Sequence, residues 1–354
     1  MMKSTTQTKG RAASFNTPNR FESTHLAPLE IDVPYEDDIP PTPTTFFNDT
    51  SKTILAKNDS PDLPFTYSIN PYRGCEHGCI YCYARPSHEY LGFSAGLDFE
   101  TKIMVKMDAP SLLEEQFRKK SWEPQMVALS GNTDCYQPVE RRLQITRKCL
   151  EVFLRFRNPV SMITKNALVL RDIDIIREMA RLDLIHVMLS ITTLDADLAR
   201  AMEPRTSSPQ NRLKAIKELA DNGIPVGVNV APIIPGLTDE EIPAILKEAA
   251  NHGARSTSYI MVKLPGAVEP LFLDWLNRTF PQMAGKIINR IRDTRSGNLN
   301  DPRFGTRMTG EGEIAGTIQS LFAVSAGKNG LSTHWEDLST SQFRRPSRSQ
   351  FEMF

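Results

Sequence analysis

Short apolar stretches alternate with amphipathic ones along most of the chain between residues 61 and 331. The apolar stretches predict strands at residues 66–70, 125–129, 160–164, 186–191, 225–230 and 257–262. The helical periodicity between and after them predicts helices at residues 110–120, 138–156, 171–182, 208–222, 238–252, 269–280 and 283–295. Strand–helix alternation repeated six times predicts an α/β fold with a parallel sheet, either an open doubly wound sheet or a partial barrel.

The two ends of the chain lack this alternation. Residues 1–60 are polar, rich in proline and threonine, and without periodicity, so we predict a disordered or extended N-terminal segment. Residues 332–354 have a similar composition and predict a flexible tail. The core domain, including its C-terminal helices, is therefore expected at residues 61–331.

Composition narrows the class of protein further. The 354 residues carry 42 Lys+Arg and 42 Asp+Glu, so the net charge is zero. This charge does not support nucleic-acid binding, although nucleic acid stays a candidate partner. No apolar run approaches the roughly 20 residues of a membrane-spanning helix, and the first residues do not resemble a signal peptide. We expect a cytoplasmic protein that does not contact a membrane.

Three of the five cysteines lie close together at Cys75, Cys79 and Cys82, with the spacing C-x3-C-x2-C. A 4Fe–4S cluster normally takes four thiolates, so three of them leave one iron open to a substrate or cofactor. The alternative is a zinc site completed by His77 or His88. The other two cysteines are too few for a second cluster: Cys149 falls on the apolar face of a predicted helix, and Cys135 lies in a polar loop, where it is either a catalytic thiol or buried.

The triplet resembles the signature of the radical S-adenosylmethionine (radical SAM) superfamily, which selects the partial (βα)6 barrel, similar to part of a TIM barrel. The resemblance implies that S-adenosylmethionine binds the open iron and is cleaved reductively to a 5′-deoxyadenosyl radical. It also implies an external one-electron reductant of the flavodoxin or ferredoxin type. Tyr81 matches the position that lies against the adenine, and Ile234 and Gly236 match an element that packs near it.

Within the superfamily, residues 66–262 resemble the spore photoproduct lyase branch, and motifs such as Met202-Glu-Pro-Arg205 resemble a bacterial group labelled photolyase-like. This resemblance implies that Thr133, Lys165 and Ser190 contact S-adenosylmethionine. The cysteine that donates hydrogen in the lyase is replaced by Gly131 here, and Cys135 is the nearest thiol.

The expected reaction is therefore radical chemistry of a lyase or transferase type on an unidentified substrate, with nucleic acid and protein as candidates. The alternative is a non-enzymatic zinc or iron–sulfur module that binds a partner. Glu203 and Arg205 are polar enough to contact a substrate, but a surface ion pair explains them equally well.

Overall fold

The main sheet of the computed structural model, which describes residues 10–21 and 43–347, contains seven strands. They are β2 (Leu55–Lys57), β3 (Tyr67–Ile69), β6 (Val127–Leu129), β7 (Val160–Thr164), β8 (Ile185–Ser190), β9 (Val226–Ile233) and β10 (Ser256–Met261), in the order β10-β9-β8-β7-β6-β3-β2. Neighbouring strands from β3 to β10 are parallel, and β2 is antiparallel to β3. The predicted partial (βα)6 barrel is confirmed.

The helices of the described chain connect and cover these strands. They are α1 (Leu97–Thr101), α2 (Ala109–Arg118), α3 (Glu140–Leu143), α4 (Ile145–Phe156), α5 (Ile173–Ala180), α6 (Ala196–Met202), α7 (Pro209–Asp221), α8 (Ile242–Asn251), α9 (Val268–Thr279), α10 (Ala284–Asp293) and α11 (Gly312–Lys328). Short 3-10 turns precede α5 and α8 at Ala167–Asp172 and Asp239–Glu241, and another follows the cysteines at Arg85–Leu91. None of these helices is long and apolar enough to cross a membrane.

The single helix predicted at residues 138–156 is wrong, because the chain breaks it at Gln144. This residue has a left-handed backbone with φ of 54° and separates α3 from α4. The carboxylate of Glu140 accepts hydrogen bonds from the backbone N–H groups of Ile145 and Thr146, both at 3.1 Å. It thereby satisfies donors that the first turn of α4 would otherwise leave unpaired.

The described parts of the N-terminal segment follow the core as extended chain. Three short strands, β1 (Thr45–Asn48), β4 (Tyr72–Arg73) and β5 (Lys102–Val105), form a second sheet in the order β1-β5-β4. Residues 10–21 lie against α1 and the 3-10 turn Arg85–Leu91, and Ala12 and Ala13 are completely buried. Residues 1–9 and 22–42 lie outside the described residues, so the domain boundary at residue 61 stays a prediction.

The described part of the C-terminal tail, residues 332–347, contacts the amino ends of the strands. The ring of Trp335 stacks on His186 near the start of β8, with ring centres 4.1 Å apart. A Cβ added to Gly227 in β9 would lie 2.7 Å from the same tryptophan. Flexibility of this tail stays a prediction, and the segment lies at the opposite end of the strands from the cysteines.

Candidate functional site

A cavity opens at the carboxyl ends of the parallel strands, where barrel enzymes carry their active sites. Its empty volume, counted with the space at its open mouth, is about 860 Å³. The cysteine loop, residues 74–85, forms one part of its wall. The remaining wall comes from residues at or just beyond the ends of β6, β7, β8, β9 and β10.

The three predicted metal ligands meet on this wall. Cys75, Cys79 and Cys82 all line the cavity, the first two buried and the third half-buried. Their loop is held by backbone hydrogen bonds, from Cys75 N–H to the Phe99 carbonyl at 2.9 Å and from Cys82 N–H to the Cys79 carbonyl at 3.3 Å. Burial raises the pKa of all three thiols, so a positively charged partner is needed to favour their thiolates. Iron–sulfur clusters are held by cysteine thiolates, and this donor set fits one.

Two glycines allow the cysteine loop to turn tightly. Gly74 and Gly78 have left-handed φ values of 79° and 68°, which glycine adopts without strain. A Cβ at Gly78 would also lie 2.8 Å from a carboxylate oxygen of Glu100. The loop conformation therefore depends on both positions.

Tyr81 is held from behind by a buried network. Its hydroxyl donates to the Glu203 carboxylate and lies 3.2 Å from the hydroxyl of Thr192. Glu203 in turn pairs with the guanidinium of Arg212, and both side chains are buried. Arg212 also donates to the carbonyl of Ser190 at 2.9 Å. The network ties the cysteine loop to the end of β8.

The Met202-Glu-Pro-Arg205 motif supports the same loop at two more points. The N–H of Ile80 donates to the carbonyl of Met202 at 2.9 Å, and the N–H of Arg205 donates to the carbonyl of His77 at 3.3 Å. The Arg205 guanidinium pairs with Glu76 at 3.1 Å. The motif therefore positions the cysteine loop rather than forming a surface ion pair.

Asp134 joins the cysteine loop to the end of β7. Its carboxylate accepts hydrogen bonds from the hydroxyl of Thr164 at 2.7 Å and from the N–H of Lys165 at 2.8 Å, and it lies 3.4 Å from Nδ1 of His77. Burial alone would raise the pKa of Asp134. His77 and these hydrogen bonds outweigh burial and lower that pKa to about 2. The group is therefore an anion that fixes the backbone leading to Lys165.

The two histidines considered as zinc ligands have other surroundings. The Nε2 atom of His77 faces the amide nitrogen of Asn166 at 3.2 Å, and its Nδ1 faces Asp134. His88 is buried against the rings of Phe93 and Phe99. Among the described residues, no three histidine, cysteine or carboxylate side chains are grouped closely enough for a single metal ion. The zinc alternative stays a prediction.

Four of the predicted cofactor-binding residues line the cavity together: Tyr81, Thr133, Lys165 and Ser190. The Lys165 ammonium lies 5.8 Å from the centre of the Tyr81 ring, within the range of a cation–π contact. The Thr133 hydroxyl donates to the carbonyl of Tyr72 at 2.8 Å. The cavity thus presents an aromatic face, a cation and hydroxyls beside the cysteines.

Asn229 and Lys263 also line the cavity and were not predicted from the sequence. Asn229 is the one polar side chain in the apolar run that forms β9, which was the available signal. Lys263 follows β10, and its ammonium lies 4.6 Å from the centre of the Tyr83 ring. Burial and the charge of Arg307 lower the pKa of Lys263 to about 8.

Three further predicted residues lie away from the cavity wall. Cys135 is fully buried in the apolar core, which raises its pKa, so the structure does not bring its thiol to the cavity. Ile234 is buried in the second apolar cluster. Gly236 makes a left-handed turn and its N–H donates to Asp239 at 2.7 Å.

A partial barrel with three cysteines in a loop after its first parallel strand defines a class of iron–sulfur enzymes. The family model described as the Radical SAM superfamily matches residues 69–249. An uncharacterized protein of Mycobacterium tuberculosis is 36% identical over 245 residues, or 68% of this chain and 72% of that protein. An uncharacterized protein of Methanocaldococcus jannaschii is 33% identical over 175 residues, which are 49% of this chain and 63% of that protein. The chain belongs to the Radical SAM superfamily.

Solved structures of spore photoproduct lyase share the fold. A mutant with bound AdoMet and dinucleoside spore photoproduct has a TM-score of 0.58 at 16% identity, covering 82% of both chains. The lyase complexed with dinucleoside spore photoproduct has a TM-score of 0.56 at 17% identity, covering 81% of both. Enzymes of the superfamily use a 4Fe–4S cluster and S-adenosylmethionine and generally need an external reductant.

Proposed function

We propose that this protein cleaves S-adenosylmethionine reductively at a 4Fe–4S cluster held by Cys75, Cys79 and Cys82. The observation that carries the proposal is the convergence of these thiols on one wall of a cavity at the carboxyl ends of the strands. Membership of the superfamily supports it, and so does the shared fold of a lyase determined with bound AdoMet. When bound, the cluster would supply one electron to the sulfonium; the C5′–S bond would break to give methionine and a 5′-deoxyadenosyl radical, which abstracts hydrogen from the substrate.

The residues beside the cysteines have the chemistry to bind S-adenosylmethionine. Tyr81 offers an aromatic face to the adenine, and Glu203 holds that ring in place. Lys165 offers a point charge to the carboxylate, and the hydroxyls of Thr133 and Ser190 offer polar contacts. Ile234 and Gly236 lie behind this wall, so a role near the adenine would be indirect.

The proposed reaction is of a lyase or transferase type on a macromolecule, either nucleic acid or protein. The dinucleoside spore photoproduct bound by the structurally similar lyase supports nucleic acid, whereas the zero net charge of this chain does not. The electron would come from a flavodoxin or a ferredoxin.

The test is an anaerobic assay for 5′-deoxyadenosine. The protein is reconstituted with iron and sulfide, reduced with dithionite, and incubated with S-adenosylmethionine. We expect product from the wild type and from Cys149→Ala, because Cys149 is buried on α4 away from the cavity. We expect none from the Cys75/Cys79/Cys82→Ala triple variant.

The second candidate function, a non-enzymatic zinc or iron–sulfur module, predicts a different result. It gives no 5′-deoxyadenosine from wild-type protein and no binding of S-adenosylmethionine. Zinc at one equivalent after anaerobic purification, with no product, would refute the proposed function.

A further inference from the structure

The N-terminal strap, residues 10–21, lies against the back of the cysteine loop. Ala12 and Ala13 are completely buried and pack in the same apolar cluster as Cys79, Ile80 and Tyr81. The strap therefore covers the side of the loop that faces away from the cavity.

Polar contacts fix the strap along its length. The hydroxyl of Ser14 donates to Asp274 on α9 at 2.7 Å. The side chain of Asn16 donates to Asp98 at 3.1 Å and accepts from the N–H of the same residue at 2.9 Å. The amide of Asn19 donates to the carbonyl of Glu89 at 3.0 Å. These contacts join the strap to α1 and to the turn that follows the cysteines.

Arg85 holds the cysteine loop from within. Its side chain is fully buried, and its guanidinium donates to the carbonyl of Cys79 at 2.8 and 3.0 Å and to that of Gly78 at 3.3 Å. It also donates to the carbonyls of Ala95 and Gly96, at 3.2 and 3.0 Å. A single cationic side chain thus spans the backbone of two cysteine-loop residues and the residues before α1.

Glu100 connects Arg85 to the strap. Its Oε1 pairs with the Arg85 guanidinium at 2.5 Å and accepts a hydrogen bond from the N–H of Ala13 at 3.1 Å. The guanidinium of Arg11 donates to the backbone carbonyl of Glu100 at 2.9 Å. The strap, Glu100, Arg85 and the cysteine loop therefore form one continuous chain of contacts.

We propose that the strap and the Arg85–Glu100 pair position the cysteine loop so that it retains its cluster. This inference rests on the proposed function. Groups that orient metal ligands from behind commonly contribute about 10–100-fold to metal affinity. Displacing the strap would open the back of the loop to water and remove the Ala13 N–H that donates to the Glu100 carboxylate beside Arg85, and the cluster would then be lost faster.

Gly96 provides a test that leaves the strap and the cysteine loop unmutated. An added Cβ would lie 2.1 Å from the Phe15 carbonyl oxygen and 2.8 Å from Asn16 Cα, so Gly96→Ala should expel the strap. Gly285→Ala is the matched control, because a Cβ there meets nothing within 4 Å. Circular dichroism of both apo variants checks that they fold, and trypsin cleavage between Arg11 and Ala12 reports whether the strap is free.

The readout is loss of the cluster's visible absorbance in the presence of EDTA under anaerobic conditions. We expect loss about tenfold faster in Gly96→Ala, and an unchanged rate in Gly285→Ala. An unchanged rate in Gly96→Ala with a cleavable strap would overturn the proposal, as would a strap that stays protected in that variant. A wild type that binds no cluster would instead refute the proposed function.

The charge of Arg85 gives a second readout, the cluster's reduction potential measured by EPR-monitored titration. Arg85→Gln removes a buried positive charge beside the cysteines and should make the potential more negative. Arg85→Lys keeps the charge, so its potential should stay closer to that of the wild type, although it loses the planar donor geometry. Equal potentials in the Gln and Lys variants would show that the charge of Arg85 plays no part.

Discussion

Removing the carboxylate of Glu203 should weaken both the fold and the support of Tyr81. Glu203 and Arg212 are 1% and 0% exposed, and no other carboxylate is paired with the Arg212 guanidinium among the described residues. In Glu203→Ala, Arg212 would keep its hydrogen bonds to the carbonyls of Ser190 and Ser207, at 2.9 and 2.8 Å. Its positive charge would nevertheless stay buried without a counter-ion.

The expected size of the effect follows from that geometry. Breaking a buried ion pair by removing one partner costs about 3–5 kcal/mol, which we expect for Glu203→Ala. Glu203→Gln keeps the shape and an acceptor for Tyr81 but loses the charge, so about 1.5–3 kcal/mol is expected. Either loss is a large fraction of a typical total stability of about 5–15 kcal/mol.

Urea denaturation of the apo protein, followed by circular dichroism, measures these changes through the transition midpoint at constant m-value. Asp221→Ala is the matched control, since Asp221 pairs with Lys217 at 2.9 Å on the exposed face of α7. We expect about 0.5 kcal/mol or less for that change. The reasoning is refuted if Glu203→Ala destabilises the protein no more than Asp221→Ala does.

Three further predictions concern burial. Burial lowers the pKa of His186 from 6.5 to about 4, so stability should fall by up to about 3 kcal/mol as pH drops from 6.5 to 4. Urea titrations at several pH values should show a weaker dependence of stability on pH in His186→Gln than in the exposed control His334→Gln. The same dependence on pH in both variants would contradict this prediction. Gly227→Ala should lower stability by about 1–3 kcal/mol, because its Cβ would meet Ser256 at 2.3 Å, and an unchanged midpoint would refute it. In apo protein, an alkylating reagent should label Cys82 and spare Cys135 until the protein unfolds; mass spectrometry showing early Cys135 labelling would disprove its burial.

The central strands could be predicted where both faces are buried, because such a strand reads as an almost continuous apolar run, as for Val226–Ile233. The helix Gly312–Lys328 could not, since its glycines and scattered apolar residues give little helical periodicity. The break at Gln144 was also missed, because the left-handed residue there is neither glycine nor asparagine.

The grouping of the three cysteines could be predicted because their spacing alone keeps them in one loop. The orientation of a loop side chain has no such signal, and Cys135 points into the core although its neighbours Thr133 and Asp134 line the cavity. Long-range partners were equally hidden. Nothing in the sequence indicates that Glu203 pairs with Arg212, or that Arg11 reaches a carbonyl 89 residues away.

The supports of the cysteine loop come from distant parts of the chain, and this has a consequence for biosynthesis. Tyr81 depends on Glu203 and Arg212, which leave the ribosome about 130 residues after Cys82, or roughly 7–26 s later at typical synthesis rates. During that interval the nascent chain exposes three cysteines before their supports exist. Iron delivered during that interval would bind an unfolded peptide. Cluster insertion should therefore follow translation of the barrel, and the proteins that deliver iron and sulfide should recognise the folded chain.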